Sequence, residues 1–182
     1  MALKATIFKA DISITDMDRN YYNEHNLTIA RHPSENDARM MLRIVAFIVN
    51  AHEQLQFTKG LSDDEVPDIW QKDFSDVIEL WIELGQPSEQ RIKKGCNQSQ
   101  QMMIYAYADN SFDAWWKKEQ NSLRTRKNLS VFTLPESLST SLANAVDRSM
   151  QMQVTVQDGQ IWLTIESAGK SECIEVEIEK HL

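Results

Sequence analysis

One stretch limits the possible folds of this sequence more than any other: the apolar run at residues 78–84, which is closed by Gly85 and Pro87. Side chains alternate between the two faces of a strand, so the run predicts one mainly acidic face and one buried apolar face. The predicted acidic face carries Glu79, Trp81 and Glu83, and the predicted buried face carries Ile78, Leu80, Ile82 and Leu84.

A helix is predicted directly after this strand. Ser88 is a favourable N-cap residue, and a period of about 3.6 residues places Arg91, Lys94 and Gln98 on one side of the helix. Carboxylates on a strand face, with cations on the following helix, are typical of a site for a divalent metal and a phosphate. The next apolar run, residues 102–107, predicts a strand parallel to the first, because the two are joined by a helical crossover.

The length of 182 residues suits one domain spanning residues 1–182. A net charge of −8 argues against tight, non-specific binding to duplex nucleic acid. An acidic protein can still carry a local basic patch, and Arg91, Lys93 and Lys94 are candidates for one. The sequence contains no run of about 18 apolar residues, so no membrane span is predicted. The polar start of the sequence and the two isolated cysteines, Cys96 and Cys173, favour a cytoplasmic protein with free thiols.

The remainder of the sequence predicts an α+β fold. Alternating patterns indicate an N-terminal β-hairpin at residues 3–15 and 21–30 and a C-terminal hairpin around Asp158–Gly159. A helix is expected at residues 35–51 with Ser34 as its N-cap, and another after Asn110 or Ser111. Residues 67–70 fit either a strand or a helical turn, and residues 173–178 fit an edge strand.

Several enzyme classes are excluded by missing motifs. The sequence has no Gly-x-Ser-x-Gly elbow, no phosphate-binding glycine loop and no His/Cys cluster for zinc. The remaining candidates for chemistry are carboxylates at Glu35, in the stretch 63–68, and at Glu79 and Glu83. Each also has a simpler interpretation: Glu35 could stabilise the start of a helix, and the two strand glutamates could lie on a solvated face.

Seven strings distributed over nearly the whole chain resemble the YaeQ family of bacterial proteins. They are LTIARHPSE (27–35), RMMLR (39–43), LQFTKGL (55–61), LWIELG (80–85), RIKK (91–94), NLSV (128–131) and QDGQIWL (157–163). The resemblance implies a variant of the PD-(D/E)xK, restriction-endonuclease-like fold. In that fold a mixed central sheet is flanked by helices around an α-β-β-β-α-β core, here with added N- and C-terminal β-hairpins.

The same resemblance implies roles for individual residues. Glu35 would be the acid of the first helix, Asp68 or Glu79 the second acid and Glu83 the third, with Asp68 and Glu83 as ligands of Mg²⁺. Gly85 stands where the motif expects a lysine, so Lys94, or Lys93, would have to supply the ammonium group from the next helix. The residues predicted to bind the substrate are Arg31, Arg39, Arg91, Lys93 and Gln98.

Three hypotheses follow. The leading one is a charged pocket that binds Mg²⁺ and a phosphodiester of nucleic acid; whether it also cleaves the phosphodiester, as a metal-dependent nuclease, is left open. The second is a non-catalytic binding or regulatory module, associated with transcription, in which the same charges form ion pairs. The third is a protein-contact surface at Trp115 and Trp116, because two adjacent residues of one helix cannot both face the core.

Overall fold

The structure is a computed structural model that describes residues 4–182, apart from the side chain of Ser62. The described residues form four α-helices and two mixed β-sheets, which confirms the predicted α+β class. The contacts divide the chain into two compact units, residues 1–41 with 137–177 and residues 42–136 with 178–182. The prediction of one domain spanning residues 1–182 stays a prediction.

The strands and helices follow each other in a regular alternation only in the middle of the chain. In order they are β1 (Thr6–Asp16), β2 (Tyr21–Arg31), α1 (Asp37–Val49), β3 (Leu55–Phe57), a 3₁₀ turn (Gly60–Ser62), β4 (Ile69–Lys72), β5 (Ile78–Leu84), α2 (Glu89–Gln98), β6 (Ser99–Ala108), α3 (Asn110–Leu123), β7 (Leu129–Pro135), α4 (Glu136–Asn144), β8 (Ser149–Gln157), β9 (Gln160–Ser167), β10 (Lys170–Glu175) and β11 (Glu179–Lys180).

The first unit contains a five-stranded sheet in the order β10-β9-β8-β1-β2. Both predicted hairpins are confirmed: β1 pairs antiparallel with β2, and β8 pairs antiparallel with β9 through Asp158 and Gly159. Both turn residues have positive φ, which the favoured two-residue hairpin turn requires. The predicted edge strand is also present, but it is β10, which ends at Glu175 rather than at residue 178. Residue 3, where the first strand was predicted to begin, lies outside the described residues.

The second unit contains a six-stranded sheet in the order β11-β7-β6-β5-β4-β3. Strands β5, β6 and β7 are parallel, as predicted for β5 and β6, and β4 lies antiparallel to β5. Residues 69–72 are therefore a strand rather than a helical turn. The buried cluster on one face of this sheet, which α2 and α3 help to form, consists of Trp81, Ile92, Met102, Ile104, Ala106, Phe112, Leu123, Leu129 and Val131.

Two predicted helix starts were wrong by one or two residues. Helix α1 begins at Asp37, and Asn36 caps it by accepting a hydrogen bond from Arg39 N at 2.8 Å. Ser34 instead lies in a turn that is closed by Glu35 N and His32 O at 2.8 Å. Asp109 caps α3, because its carboxylate accepts a hydrogen bond from Phe112 N, and it thereby replaces the predicted caps at the two following positions.

The two faces of β5 differ less in burial than the sequence suggested. Trp81 and Glu83, on the predicted acidic face, are 0% and 2% exposed, so this face is buried under α2 instead of solvated. Trp115 and Trp116 are also half-buried, packed against the buried cluster, rather than forming an exposed pair. Among the described residues, no helix is long and apolar enough to cross a membrane.

Candidate functional site

The carboxylate of Glu83 is the centre of the candidate site in the second unit. It lies near the end of β5, and both of its oxygens accept hydrogen bonds. Oε1 accepts one from Trp81 Nε1 at 2.7 Å, and Oε2 accepts one from Arg91 Nε at 2.8 Å. Because Trp81 precedes Glu83 by two residues on the same strand, alternation places both side chains on one face.

Arg91 is held in place by the start of α2. Ser88 caps this helix as predicted, and its hydroxyl accepts a hydrogen bond from Arg91 N at 3.3 Å. The guanidinium group then reaches beyond Glu83: Nη2 donates to Val66 O at 2.7 Å, and Nη1 donates to Asp64 O at 3.2 Å. Arg91 therefore joins the loop before β4 to both β5 and α2.

Asp68 is a second buried carboxylate, 2% exposed, immediately before β4. Its Oδ2 accepts a hydrogen bond from Leu84 N at 3.0 Å, and its own N donates to Ile82 O at 3.1 Å. Gly60 leaves room for the other oxygen, because a Cβ on Gly60 would lie 3.0 Å from Asp68 Oδ1. Asp68 thus fixes the entry of the chain into β4 against β5.

The electrostatic environment of Glu83 is mixed. Burial raises the pKa of this carboxyl, while the hydrogen bond and the positive charge of Arg91 lower it. The negative charge of Asp68 raises it further, and the net direction is upward. A buried carboxyl with a raised pKa is a group to examine for function, but carboxyls buried in structural ion-pair networks also have perturbed pKa values.

The lysine predicted to complete a nuclease site points elsewhere. Lys94 Nζ donates to Glu65 Oε2 at 2.6 Å and to Asp64 O at 3.3 Å, so the ammonium group lies over the acidic turn at residues 64–66. Lys94 borders a cavity of about 340 Å³. Its lining consists of Asp64, Glu65, Ser88, Gln90, Arg91 and Lys94. Lys93 and Gln98, predicted to bind the substrate, are exposed on α2.

Glu79 is not a neighbour of Glu83 in this arrangement, although the two were predicted to share a face. It accepts a hydrogen bond from Gln71 Nε2 at 2.7 Å. It lines a different cavity, of about 580 Å³, together with side chains that include Gln101, Lys127 and Asn128. The structure therefore brings Asp68, Glu83 and Arg91 together and leaves Glu79 out.

The three remaining predicted site residues belong to the first unit. Glu35 is 5% exposed and forms an ion pair with Arg39, with Oε1 and Nη1 3.0 Å apart. Arg31 pairs with Asp37, and its guanidinium carbon lies 5.1 Å from the ring centre of Phe8. Within their own unit these residues form ion pairs around the start of α1.

The donor set does not fit Mg²⁺ at the predicted ligands, Asp68 and Glu83. Among residues 4–182, no three or more His, Cys, Asp or Glu side chains are grouped so that they could hold a metal ion. Both oxygens of Glu83 already accept hydrogen bonds, one of them from a cation. A divalent ion would have to displace the guanidinium group or lie beside it, and like charges at that distance repel.

Two features of the site were missed from the sequence. The first is the hydrogen bond from the indole N–H of Trp81 to Glu83. It could have been predicted, because residues i and i+2 of a strand share a face. The carbonyl groups of Asp64 and Val66, which hold Arg91, carry no side-chain signal, so only the folded loop reveals them.

Comparisons with known proteins agree along nearly the entire chain. The family model described as YaeQ protein matches residues 1–174. An uncharacterized protein YaeQ of Salmonella typhi is 46% identical over 164 residues, covering 90% of this chain and 91% of that protein. The Escherichia coli (strain K12) protein of the same description is 44% identical over the same shares.

Two solved structures are similar to the whole fold. The crystal structure of YaeQ protein from Xanthomonas axonopodis pv. citri has a TM-score of 0.88 and 37% identity, covering 97% of this chain and 98% of that one. The crystal structure of YaeQ protein from Pseudomonas syringae has a TM-score of 0.89 and 30% identity, covering 98% and 96%.

Proposed function

The chain belongs to the YaeQ family, and from this premise we propose that it is a non-catalytic binding module built on a PD-(D/E)xK-type core. The order α1-β3-β4-β5-α2-β6 supports such a core, because it repeats the α-β-β-β-α-β sequence of elements that the resemblance implies. Fold alone does not assign an activity, so the site has to decide between a nuclease and a binding module.

A single observation carries the proposal: Arg91 Nε donates to Glu83 Oε2 at 2.8 Å inside the second unit. The side chain of Glu83 is only 3% exposed, so its negative charge needs a partner, and Arg91 supplies it. The positive charge that a metal ion would bring to a nuclease site is here provided by the protein itself. The pair therefore acts as a structural tie between β5 and α2.

The position of Lys94 argues in the same direction. A nuclease with a migrated lysine needs the ammonium group beside the metal-binding carboxylates. Lys94 instead forms its ion pair with Glu65, which is on the acidic turn rather than on β4 or β5. The nuclease hypothesis therefore lacks both a free carboxylate at Glu83 and a lysine directed toward it.

The ligand class that suits the cavity near α2 is a phosphate group, and a nucleic acid strand would present it. The side chain of Glu65 is 81% exposed, and exposed ion pairs such as Lys94–Glu65 contribute about 0–1 kcal/mol. A phosphate can displace this carboxylate at little cost and accept hydrogen bonds from Lys94. With a net charge of −8 on the chain, few phosphates can be neutralised, so binding is weak and responds only slightly to salt.

Thermal unfolding with and without Mg²⁺ or Mn²⁺ tests the non-catalytic assignment. A ligand that binds only the folded state at about a hundredfold excess over its Kd stabilises by about 2.7 kcal/mol. We expect no such gain for the wild type, and a lower Tm for Glu83→Ala, which leaves Arg91 without its main partner. Glu79→Ala is the matched control, because it removes a carboxylate from the same strand outside the ion pair. A metal-dependent rise in Tm that Glu83→Ala abolishes would contradict the proposal and support a nuclease.

Binding to a fluorescent single-stranded oligonucleotide tests the ligand class. Lys94→Ala should weaken binding and reduce its dependence on salt by about one phosphate contact. Lys93→Ala removes the same charge from an exposed neighbour in the same helix, so it should have a smaller effect. Equal losses in the two variants would show that the cavity is not the binding site.

A further inference from the structure

The outer edge of β7 is covered by a segment that returns from the far end of the sequence, residues 178–182. Glu179 pairs with Thr133 and Lys180 with Phe132 in an antiparallel ladder. His181 N donates to Val131 O at 2.9 Å, and Val131 N donates to Leu182 O at 3.1 Å. Without this segment, β7 would present a row of unpaired backbone groups, and such an edge accepts another extended chain readily.

Side chains add specificity to these backbone contacts. His181 Nε2 and Thr133 Oγ1 lie 2.8 Å apart and share a hydrogen bond. The imidazole ring also contacts two aromatic rings of α3, with centroids 5.2 Å from Phe112 and 5.4 Å from Trp116. Leu182 packs against the buried cluster of the second unit. The edge of β7 therefore offers one place for a ring and one for an aliphatic side chain.

The strand pairing that holds segment 178–182 is nevertheless short. β11 has only two residues, Glu179 and Lys180, and both are exposed. His181 and Leu182 are half-buried rather than buried. Elements with few buried contacts and a short ladder open at the low end of the local stability range of a protein. Segment 178–182 resembles a bound peptide more closely than a central strand.

We propose that the edge of β7, with Phe112, Trp116 and Thr133, is a strand-addition site for an extended peptide, and that segment 178–182 fills it within the same molecule. The ligand it takes is an extended peptide with a ring side chain followed by a large aliphatic one, as in His181–Leu182. In strand addition, backbone hydrogen bonds supply affinity and the places that receive side chains supply specificity. The covalently attached segment competes with any external peptide at an effective concentration of about millimolar.

This site does not depend on the Glu83–Arg91 pair. Its residues lie on β7, α3 and β11, whereas the ion pair joins β5 and α2. The strand-addition site can therefore fail in an experiment while the non-catalytic assignment stands, and the reverse is also true.

The first test uses a variant that ends at Glu177 and a labelled peptide, Ile-Glu-Lys-His-Leu, measured by fluorescence anisotropy. The truncated variant should bind the peptide, and the full chain should bind it at least tenfold more weakly because its own segment occupies the site. Replacing the histidine of the peptide by glycine should weaken binding at least tenfold. A peptide with the same five residues in reverse order is the matched control, and it should bind no better than the glycine peptide.

A second variant tests the proposal if the truncated chain does not fold. His181→Pro in the full chain removes both the backbone donor to Val131 O and the imidazole ring. The Val131 amide should then exchange its hydrogen at least tenfold faster, and the labelled peptide should bind. The proposal is overturned by three outcomes: a folded variant that does not bind the peptide, equal binding of the reversed peptide, or unfolding of both variants. The last outcome would make segment 178–182 an obligatory part of the fold.

Discussion

Replacing Arg91 with methionine tests the ion pair that carries the proposed function. Methionine keeps an unbranched apolar stem and removes only the charge and the donors. The substitution breaks the 2.8 Å bond to Glu83 and the bonds to the carbonyl groups of Val66 and Asp64. Glu83 then keeps the indole N–H of Trp81 as its donor at 2.7 Å.

The size of the effect follows from burial. Removing one partner of a buried ion pair destabilises a protein by about 3–5 kcal/mol, because the other charge remains buried. Glu83 is almost fully buried, whereas the side chain of Arg91 is 21% exposed, so a value near the lower limit, about 3 kcal/mol, is expected at neutral pH. For a chain of this length, this loss lowers Tm by about 6–12 °C.

The direction of the pH dependence can be derived for the same variant. Without Arg91, two of the three contributions that lower the pKa of Glu83 are lost, and only the hydrogen bond from Trp81 still lowers it. Burial and the charge of Asp68 continue to raise this pKa. A carboxyl whose pKa is higher in the folded state binds more protons there than in the unfolded state. Stability from this group is therefore full below the unfolded pKa and is lost as pH rises through the folded pKa. The deficit relative to wild type should be larger at pH 8 than at pH 5.

Urea unfolding at these two pH values measures the effect, and the double variant Glu83→Gln/Arg91→Met is the control. With no ionisable group at position 83, the control should show no extra loss of stability between pH 5 and pH 8. A deficit of Arg91→Met that is equal at both pH values would refute the reasoning, as would a pH dependence that persists in the double variant. Either result would mean that Glu83 is not the buried charge that Arg91 neutralises.

Two further predictions concern the packing and capping of the helices next to the site. A Cβ at position 95 would lie 2.6 Å from Met102 Sδ and 3.1 Å from Trp81 Cδ1. Such crowding costs about 1–3 kcal/mol and outweighs the helix propensity that alanine gains. Gly95→Ala should therefore destabilise the fold by about 1 kcal/mol in urea unfolding. A stabilised Gly95→Ala variant would show that the methionine simply moves away. Asp109→Ala should cost about 1 kcal/mol through loss of the cap on α3, and Asp109→Asn should cost less. Burial raises the pKa of Asp109, but hydrogen bonds from Phe112 N and from residue 111 outweigh it and lower the pKa overall. The stability that the cap contributes should therefore disappear as pH falls through the folded pKa of Asp109. If Asp109→Ala lost as much stability in acid as at neutral pH, the electrostatic role of the cap would be contradicted.

Local signals in the sequence were sufficient for most of the fold. The apolar run at residues 78–84, the cap at Ser88 and the Asp158–Gly159 turn each occur where predicted. Such features depend on interactions between residues a few positions apart, so a single sequence contains them. The errors at the starts of α1 and α3 arose where several capping residues stand side by side, because the choice among them depends on the backbone path into the helix.

The candidate site was predicted only in part. Glu83, Asp68 and Arg91 were named, and ion pairing among the charges was one of the hypotheses, but the pairing of Glu83 with Arg91 was not predicted. A carboxylate on an alternating strand looks solvated until the helix that covers it is in place. Likewise, Glu79 and Glu83 share a face by periodicity, yet they line different surroundings, because Gln71 of β4 binds the first and Arg91 of α2 binds the second.

The sequence by itself was sufficient for the α+β class, because that class depends on periodicity and local turn chemistry. It was also sufficient for the resemblance to the family, which rests on seven strings of residues rather than on composition or periodicity. The tertiary structure alone decided what the charges do. The contacts that direct Arg91 toward Glu83 and Lys94 toward Glu65 come from a loop more than twenty residues earlier in the chain. Backbone carbonyl groups of that loop take part, and they are the same in every residue type, so no pattern of side chains could have revealed them.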